Sequence, residues 1–372
     1  MSGWRKAAVL LVVVAAAGCG RARVSGGGGV PATPSACVRL QSQRQVRGQT
    51  LCEDAFSCYR PPNGESDRIG LRRIAPCGAG GGPVVLYFPG MHMNGEISGT
   101  SANYDFRLYL AQAGFRIWSL DYRTHAVRAD ASPEQLQALS AWTRDTFLED
   151  AEWAATFVRG VDPGPLFLAG FSYGAGIAYA IVARGNQPVE GLIILDGVPG
   201  GSTIAPESGG SAIDVAGSQL SYPDREKLLQ AVIRSPDNPS PVGGGTAGTE
   251  LAQLLYSSPS YGGQGGLSAA RDGVSDVRVV ALLLDSYDRW WPRAAMEGPA
   301  KGPRKRLPVL AFASENMGPA WVARVKQGAE EFGGDHATVK TLPLHGHLDV
   351  LVGRLASTEV FEPTRRWLIG PR

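Results

Sequence analysis

Pro165-Leu166-Phe167-Leu168-Ala169-Gly170-Phe171-Ser172-Tyr173-Gly174-Ala175 runs from an apolar segment through a glycine-flanked serine into an amphipathic stretch that continues to Ala183. A short apolar run followed by residues at helical spacing reads as a buried strand that turns sharply into a helix. At the corner, the glycines two residues either side of Ser172 leave no side chain where the backbone doubles back. The Ser172 hydroxyl is thereby set at the apex of the bend, as a candidate nucleophile.

Working outward, the chain from Pro83 alternates short apolar runs with longer amphipathic ones, the pattern of a mostly parallel sheet covered by helices. Strands are expected at Arg68 to Ala75, Val84 to Phe88, Phe115 to Leu120, Leu166 to Phe171, Gly191 to Leu195, Pro308 to Ala313 and Ala337 to Leu342. Helices are expected at Asn103 to Ala113, Pro133 to Val158, Tyr173 to Arg184, Pro319 to Phe332 and Leu348 to Leu368. Ser132 with Gln135 forms a capping box for the second of these, and Gly160 reads as its stop. One connection breaks the rhythm: residues 199–306 separate two successive strands where a single helix would suffice. Structureless loops of that length are rare in compact domains. The segment therefore reads as an inserted helical cap, with helices at Asp224 to Ile233, Thr249 to Leu255 and Asp276 to Trp290 and glycine-rich links between them. Tyr287, Trp290 and Trp291 are expected to pack this cap onto the core, which holds Trp118 and Trp153, or to line an apolar pocket.

Serine is a weak nucleophile unless a base takes its proton. Of the five histidines, His347 lies in a turn after the last strand and before the final helix, at the sheet edge where Ser172 also belongs. His345, two residues earlier, points elsewhere from an extended segment; His336 begins a strand at the opposite edge; His92 and His125 follow earlier strands. His347 is the expected base.

The N-terminus carries Arg5 and Lys6, an apolar run from Ala7 to Ala17, and small residues before Cys19. This pattern reads as an export signal over residues 1–18, and the small-small-Cys ending resembles a bacterial lipobox with Cys19 as the lipidated residue. Residues 19–36 read as a flexible tether. The protein is expected in the cell envelope, held to a membrane by an N-terminal lipid anchor or secreted. Losing Arg5 and Lys6 brings the 36 basic residues level with the 34 acidic ones, and a neutral chain without a clustered basic surface argues against a nucleic-acid partner. Cys37, Cys52, Cys58 and Cys77 all lie in the segment 37–82. An even number in an exported protein suggests two disulfides; the sequence leaves the connectivity open, with Cys52 to Cys58 inside Cys37 to Cys77 as a nested possibility. The spacings are not those of a zinc finger or ribbon, and no metal or cofactor is expected.

Over about residues 65 to 370 the chain resembles the α/β-hydrolases. The resemblance rests on Leu86-Tyr87-Phe88-Pro89-Gly90-Met91 in the place of the oxyanion loop, Leu120-Asp121-Tyr122-Arg123 after the next strand, the bend at Ser172, and Gly346-His347-Leu348-Asp349-Val350-Leu351 near the end. It implies a core of residues 83–198 and 307–372 interrupted by the cap. It also implies an oxyanion hole from the backbone N–H groups of Met91 and Tyr173, and a bracing role for Asp121 and Arg123. In most members a carboxylate after the seventh strand orients the histidine, and here that column holds Met317. Asp196, at the end of the preceding strand, is the expected substitute, with Glu315 the alternative; Asp349 is expected to cap backbone groups. The implied activity is that of a serine esterase or lipase acting on a small-molecule or lipid ester. Met317 motivates the competing reading, a non-catalytic binding or envelope-structural protein on the same scaffold.

Overall fold

The structure is a computed structural model that describes residues 37–370 apart from 47, 63, 79–80, 97–100, 201–209, 218–219, 257–274 and 297–305. Residues 1–36, with the expected export signal and Cys19, lie outside the described residues. Its strands are β1 (Val38–Val46), β2 (Gln49–Tyr59), β3 (Arg68–Pro76), β4 (Val84–Phe88), β5 (Arg116–Asp121), β6 (Leu166–Phe171), β7 (Gly191–Leu195), β8 (Ala212–Asp214), β9 (Trp290–Pro292), β10 (Val309–Ser314) and β11 (Ala337–Leu342). Among the described residues, nine of them form one sheet in the order β1-β2-β3-β5-β4-β6-β7-β10-β11. The pairs from β5 through β11 are parallel, while β1, β2 and β3 join antiparallel.

β4, β5, β6, β7 and β10 are buried along their whole length, because parallel strands covered on both faces need apolar side chains in both directions. Alternate residues feed two cores. Leu86, Trp118, Leu168, Ile194 and Ala311 meet Phe147, Ala151, Ile181, Val325 and Phe332 of the helices Arg144–Val161, Tyr173–Arg184 and Pro319–Gly333. Val85, Ile117, Phe167, Ile193 and Leu310 face the other way, toward Phe106, Leu110, Phe361 and Leu368. Each such Leu, Ile or Phe contributes roughly 1.5–3 kcal/mol by leaving water. Leu229, Val232, Leu251, Val280 and Leu284 of the insertion extend the second core, so its helices Tyr222–Arg234, Ala247–Tyr256 and Val277–Asp285 are seated by the same force that closes the sheet.

Several expectations need correction. The segment 37–82 contains an antiparallel hairpin, β1 with β2, that the sequence reading does not foresee. Its register sets the disulfides. Val38 pairs with Ser57, which places Cys37 across from Cys58, with Cα atoms 4.3 Å apart. Cys52 pairs with Ala75, within reach of Cys77 at 5.0 Å. The nested pairing fails because Cys52 and Cys58 lie six residues apart on one strand, about 20 Å at 3.3 Å per residue, while a disulfide spans at most about 7 Å between Cα atoms.

The helix expected at Pro133 to Val158 is two. Ser132 caps the first, with the capping box in place, and Thr143 caps the second, which runs through Gly160 to Val161. The final helix is broken into Asp349–Val352 and Glu362–Ile369 with a wider turn between them. The last cap helix ends at Asp285, and Trp290–Pro292 is a strand paired with β8. Trp153 lies half-buried under the Arg60 guanidinium instead of inside the core.

Candidate active site

β6 ends at Phe171, and the helix Tyr173–Arg184 begins one residue later. Between them Ser172 takes φ 53°, ψ −118°, a left-handed conformation that a non-glycine residue adopts only under constraint. Its N–H donates to the Leu195 carbonyl at 3.1 Å, continuing the β6–β7 ladder past the strand end. The flanking glycines are required by close approach. A Cβ on Gly170 would lie 2.3 Å from the Gly174 carbonyl oxygen, and one on Gly174 would lie 2.0 Å from that of Phe88.

The latter contact also shows how near the loop after β4 comes to the start of the helix. Pro89 O lies 2.5 Å from the same Cβ position, and Pro89 O is held by the Tyr122 hydroxyl at 3.0 Å. Met91 and the Tyr173 N–H thus belong to backbone segments packed on one another. Asp121 braces this loop by accepting from Gly95 N–H at 2.5 Å and from Arg72 at 2.9 Å. Arg123 instead pairs with Asp67 and Asp150, tying the entry to β3 to the helix Arg144–Val161.

β7 ends at Leu195, and Asp196 follows at φ 48°, fully buried. Its Oδ2 accepts from His347 Nδ1 at 2.5 Å, and its Oδ1 accepts from Ser314 N–H at 2.7 Å and Trp321 Nε1 at 2.9 Å. With Nδ1 donating to a carboxylate, the lone pair of the neutral imidazole lies on Nε2. The ring stacks on Phe171, the residue before Ser172, with centroids 4.7 Å apart, and meets the edge of Trp321 at 6.0 Å. His347 is 7% exposed. Its turn is fastened from below: Asp349 Oδ2 accepts from Gly346 N–H at 2.6 Å, Ser314 Oγ donates to the Gly346 carbonyl, and Asn316 donates through its N–H to His345 O and through Nδ2 to Leu344 O. The Ser275 hydroxyl also bonds Asp349.

The carboxylate brought to the imidazole is therefore Asp196. Glu315 sits in the turn Glu315–Met317 with its side chain exposed. β7 and β10 are neighbours, so a carboxylate one residue past β7 reaches the same place as one from the loop after β10, where Met317 stands. The remaining histidines take other roles. His345 is buried and bonds the Pro343 carbonyl at 2.8 Å, and His336 is exposed. His92 is buried, with Nδ1–H on the Asp288 carbonyl at 2.9 Å. Burial pushes its pKa down to about 4, so it is neutral at physiological pH. Trp291, fully buried, packs against Tyr122, Phe147 and Tyr173 beneath the elbow helix. Among the described residues, no group of three His, Cys, Asp or Glu side chains is arranged to hold a metal ion.

Sequence reasoning did not single out Trp321, Ser314, Asn316 or Asp288. Ser314 and Asn316 carried a usable signal, since both lie at the carboxyl end of a strand predicted beside the site. Trp321, on the first turn of a helix after Gly318-Pro319, carried none.

The family model for the α/β-hydrolase fold matches residues 83–241. Among solved structures, a candidate lipase from Sulfolobus solfataricus superposes with a TM-score of 0.72 at 24% identity, covering 89% of this chain and 97% of that one. An α/β-hydrolase-fold protein from Nakamurella multipartita superposes with a TM-score of 0.50 at 16% identity, covering 82% and 96%. No curated protein sequence matches the chain. The strand order, the serine bend after β6 and these superpositions agree, and the chain has the α/β-hydrolase fold.

Proposed function

We propose that the protein is a serine hydrolase that cleaves a carboxylic ester through an acyl-enzyme. The observation that carries this reading is the Asp196 carboxylate on His347 Nδ1, with the ring stacked on the residue preceding Ser172. In this mechanism His347 Nε2 takes the Ser172 proton as Oγ attacks the ester carbonyl. The oxyanion meets the N–H groups of Tyr173 and Met91, donors typically worth about 3–4 kcal/mol each. His347 then returns the proton to the departing alcohol. Water, deprotonated by the same nitrogen, hydrolyses the acyl-enzyme and restores Ser172. Asp196 keeps Nδ1–H pinned and stabilises the imidazolium as it forms.

The scaffold reading was motivated by Met317; the contact between Asp196 and His347 supports the enzyme instead. Residues 199–306 act as the cap in this proposal, with a small-molecule or lipid ester admitted beneath it, and the fold shared with a candidate lipase is consistent with that substrate class. A fluorophosphonate probe tests the chemistry. Labelling of the wild type that disappears in Ser172→Ala supports the enzyme, and a folded wild type that takes no label overturns it. An ester panel graded by acyl length then defines the pocket.

Export and anchoring through Cys19 belong to the same proposal. The two disulfides support an oxidising compartment, and no described helix is long and apolar enough to cross a membrane. Partition of the wild type, but not Cys19→Ala, into a detergent phase is the expected result.

A further inference from the structure

The loop that carries Met91 is bound to the insertion around Asp288, a residue that the proposed mechanism does not use. Asp288 N–H donates to His92 O at 2.7 Å, and His92 Nδ1–H donates back to Asp288 O at 2.9 Å. The Asp288 carboxylate accepts from Asn94 Nδ2 at 3.1 Å, from Thr124 Oγ1 at 3.1 Å and from His125 Nδ1 at 2.9 Å. Asn94 also donates to Ser286 O at 2.7 Å. The carboxylate is 7% exposed, so these donors bond it in place of water. His92 follows Met91 directly and holds φ 64°, a conformation that persists only where its surroundings fix it.

We propose that Asp288 is a positioning residue for ester hydrolysis: through it the inserted segment holds the Met91 N–H where the oxyanion forms, with the His125 side chain bracing the carboxylate from the loop after β5. The inference rests on the hydrolase reading. Its physical basis is that an oxyanion donor acts only at hydrogen-bond distance from the developing charge, and a displacement of about 1 Å can lower turnover about a hundredfold. Apolar packing of the cap is non-directional and cannot set a backbone N–H to that tolerance. A buried carboxylate that gathers donors from two loops, beside a reciprocal pair between the Asp288 backbone and the carbonyl and ring of His92, is directional.

The charges around this contact fit the role. His125 faces Asp288 of the insertion, Glu96 of the loop after β4 with Nε2 to Oε1 at 3.7 Å, Arg72 of β3 with nitrogen atoms 3.4 Å apart, and Asp121 at the end of β5. Burial works against its charge, but the Asp288 hydrogen bond and the carboxylates of Asp121, Asp288 and Glu96 outweigh it and raise its pKa to about 9. Asp288 in turn faces Asn94, Thr124, His125 and, more remotely, Asp121. Burial raises its carboxyl pKa, and cationic His125 opposes that rise.

The test compares the exported chain and its Asp288→Ala, Asp288→Asn and Thr124→Val variants by hydrogen exchange and by steady-state hydrolysis of a short-chain p-nitrophenyl ester. In Asp288→Ala, exchange over residues 89–96 is expected to accelerate while peptides from β6 and β7 stay unchanged. Its kcat is expected to fall about ten- to hundredfold with KM within about threefold, and Asp288→Asn is expected to recover part of the loss because its amide oxygen still accepts from some of the donors that the carboxylate gathers. The wild-type kcat is expected to decline as pH rises through about 9, a limb absent from His125→Gln. Should Asp288→Ala not fold, Thr124→Val removes one donor without changing shape and should lower kcat by about twofold to fivefold. Unchanged exchange at 89–96, or faster exchange with unchanged kcat, overturns the proposal. A wild type without turnover or phosphonate labelling overturns the hydrolase reading, and the exchange comparison then still decides whether Asp288 holds the loop.

Discussion

Replacing Asp196 by Asn preserves shape while changing what the imidazole meets. The carboxylate accepts three hydrogen bonds: Ser314 N–H and Trp321 Nε1 on Oδ1, and His347 Nδ1 on Oδ2. An Asn amide can keep its oxygen on the first two donors only by turning its NH2 toward His347, which sets two donors 2.5 Å apart. The imidazole relieves the clash by moving its proton to Nε2, and that nitrogen then has no lone pair for the Ser172 proton. Flipping the amide instead leaves Ser314 N–H and Trp321 Nε1 facing an NH2 inside the protein, at about 1–3 kcal/mol for each unsatisfied group, so the wrong tautomer is the favoured outcome. The expected loss in kcat is about 10³- to 10⁴-fold, roughly 4–5.5 kcal/mol of barrier, with KM little changed. Glu315→Gln is expected to stay within about twofold, its side chain being exposed. Trp321→Phe removes one charged hydrogen bond of about 1.5–3 kcal/mol, only part of which reaches the transition state, so a threefold to tenfold loss is expected. Initial rates on a p-nitrophenyl ester, normalised to active sites by phosphonate titration, measure all three. Asp196→Asn within tenfold of wild type alongside a crippled Glu315→Gln would refute the reasoning.

Gly174→Ala places a methyl group 2.0 Å from the Phe88 carbonyl oxygen. It should lower stability by about 1–3 kcal/mol and, by pushing the loop after β4 away from the helix start, reduce phosphonate labelling of the protein that remains folded. Reducing the Cys37–Cys58 and Cys52–Cys77 bonds reopens loops spanning 21 and 25 residues, worth about 3 kcal/mol each by chain entropy. The thermal midpoint should fall, while labelling of folded protein persists because β1 and β2 lie at the sheet edge remote from β6. His125 has a folded pKa of about 9, above its unfolded value of about 6.5, so its contribution to stability is complete below about 6.5 and is lost as pH rises through 9. His92, depressed to about 4, acts in the opposite direction: the unfolded chain binds its proton first, and stability falls as pH drops from about 6.5 toward 4. Denaturation midpoints against pH, compared with His125→Gln and His92→Gln, should show each slope vanish with its residue.

The parts legible in the sequence share one physical property. A parallel strand covered on both faces must be apolar at every position, so Val84–Phe88, Leu166–Phe171 and Gly191–Leu195 appear as uninterrupted runs with correct bounds. The helix Tyr173–Arg184 has correct bounds as well, because Gly185 in the left-handed conformation marks its end. The β1–β2 hairpin escaped because most of β1 is solvated on both faces. What holds it is disulfides and cross-strand pairs such as Arg39 with Asp54 and Arg44 with Glu53, and these leave no apolar alternation to read. The break near Trp142 was masked by continuous amphipathicity, with Thr143 as the overlooked second cap. Asp288 was invisible for a different reason: its partners His92, Asn94, Thr124 and His125 lie 163 to 196 residues away in the chain. Only the packed fold creates that cluster.

Backbone strain follows the same division. Among the described residues, the non-glycine residues at positive φ are His92, Ser172, Asp196 and Leu344. They follow the carboxyl ends of β4, β6, β7 and β11, and each belongs to a loop that builds the candidate site. Such a conformation costs about 1–3 kcal/mol per residue, and four together approach the whole stability of an ordinary domain. They persist because each is fixed from outside. The Ser172 N–H is taken by Leu195 O and the Asp196 N–H by Phe312 O, so that each strained residue extends the ladder of the next strand across. Leu344 O is held by Asn316, and His92 by its carbonyl and ring bonds to the Asp288 backbone. Three of these restraints come from the sheet or from the loop after β10, and the fourth comes from the insertion. Of the four strained residues, His92 is thus the one bonded directly by the insertion, which reaches the loop after β11 only through Ser275 on Asp349, and so the loop carrying Met91 is the one whose strained geometry the insertion can set directly.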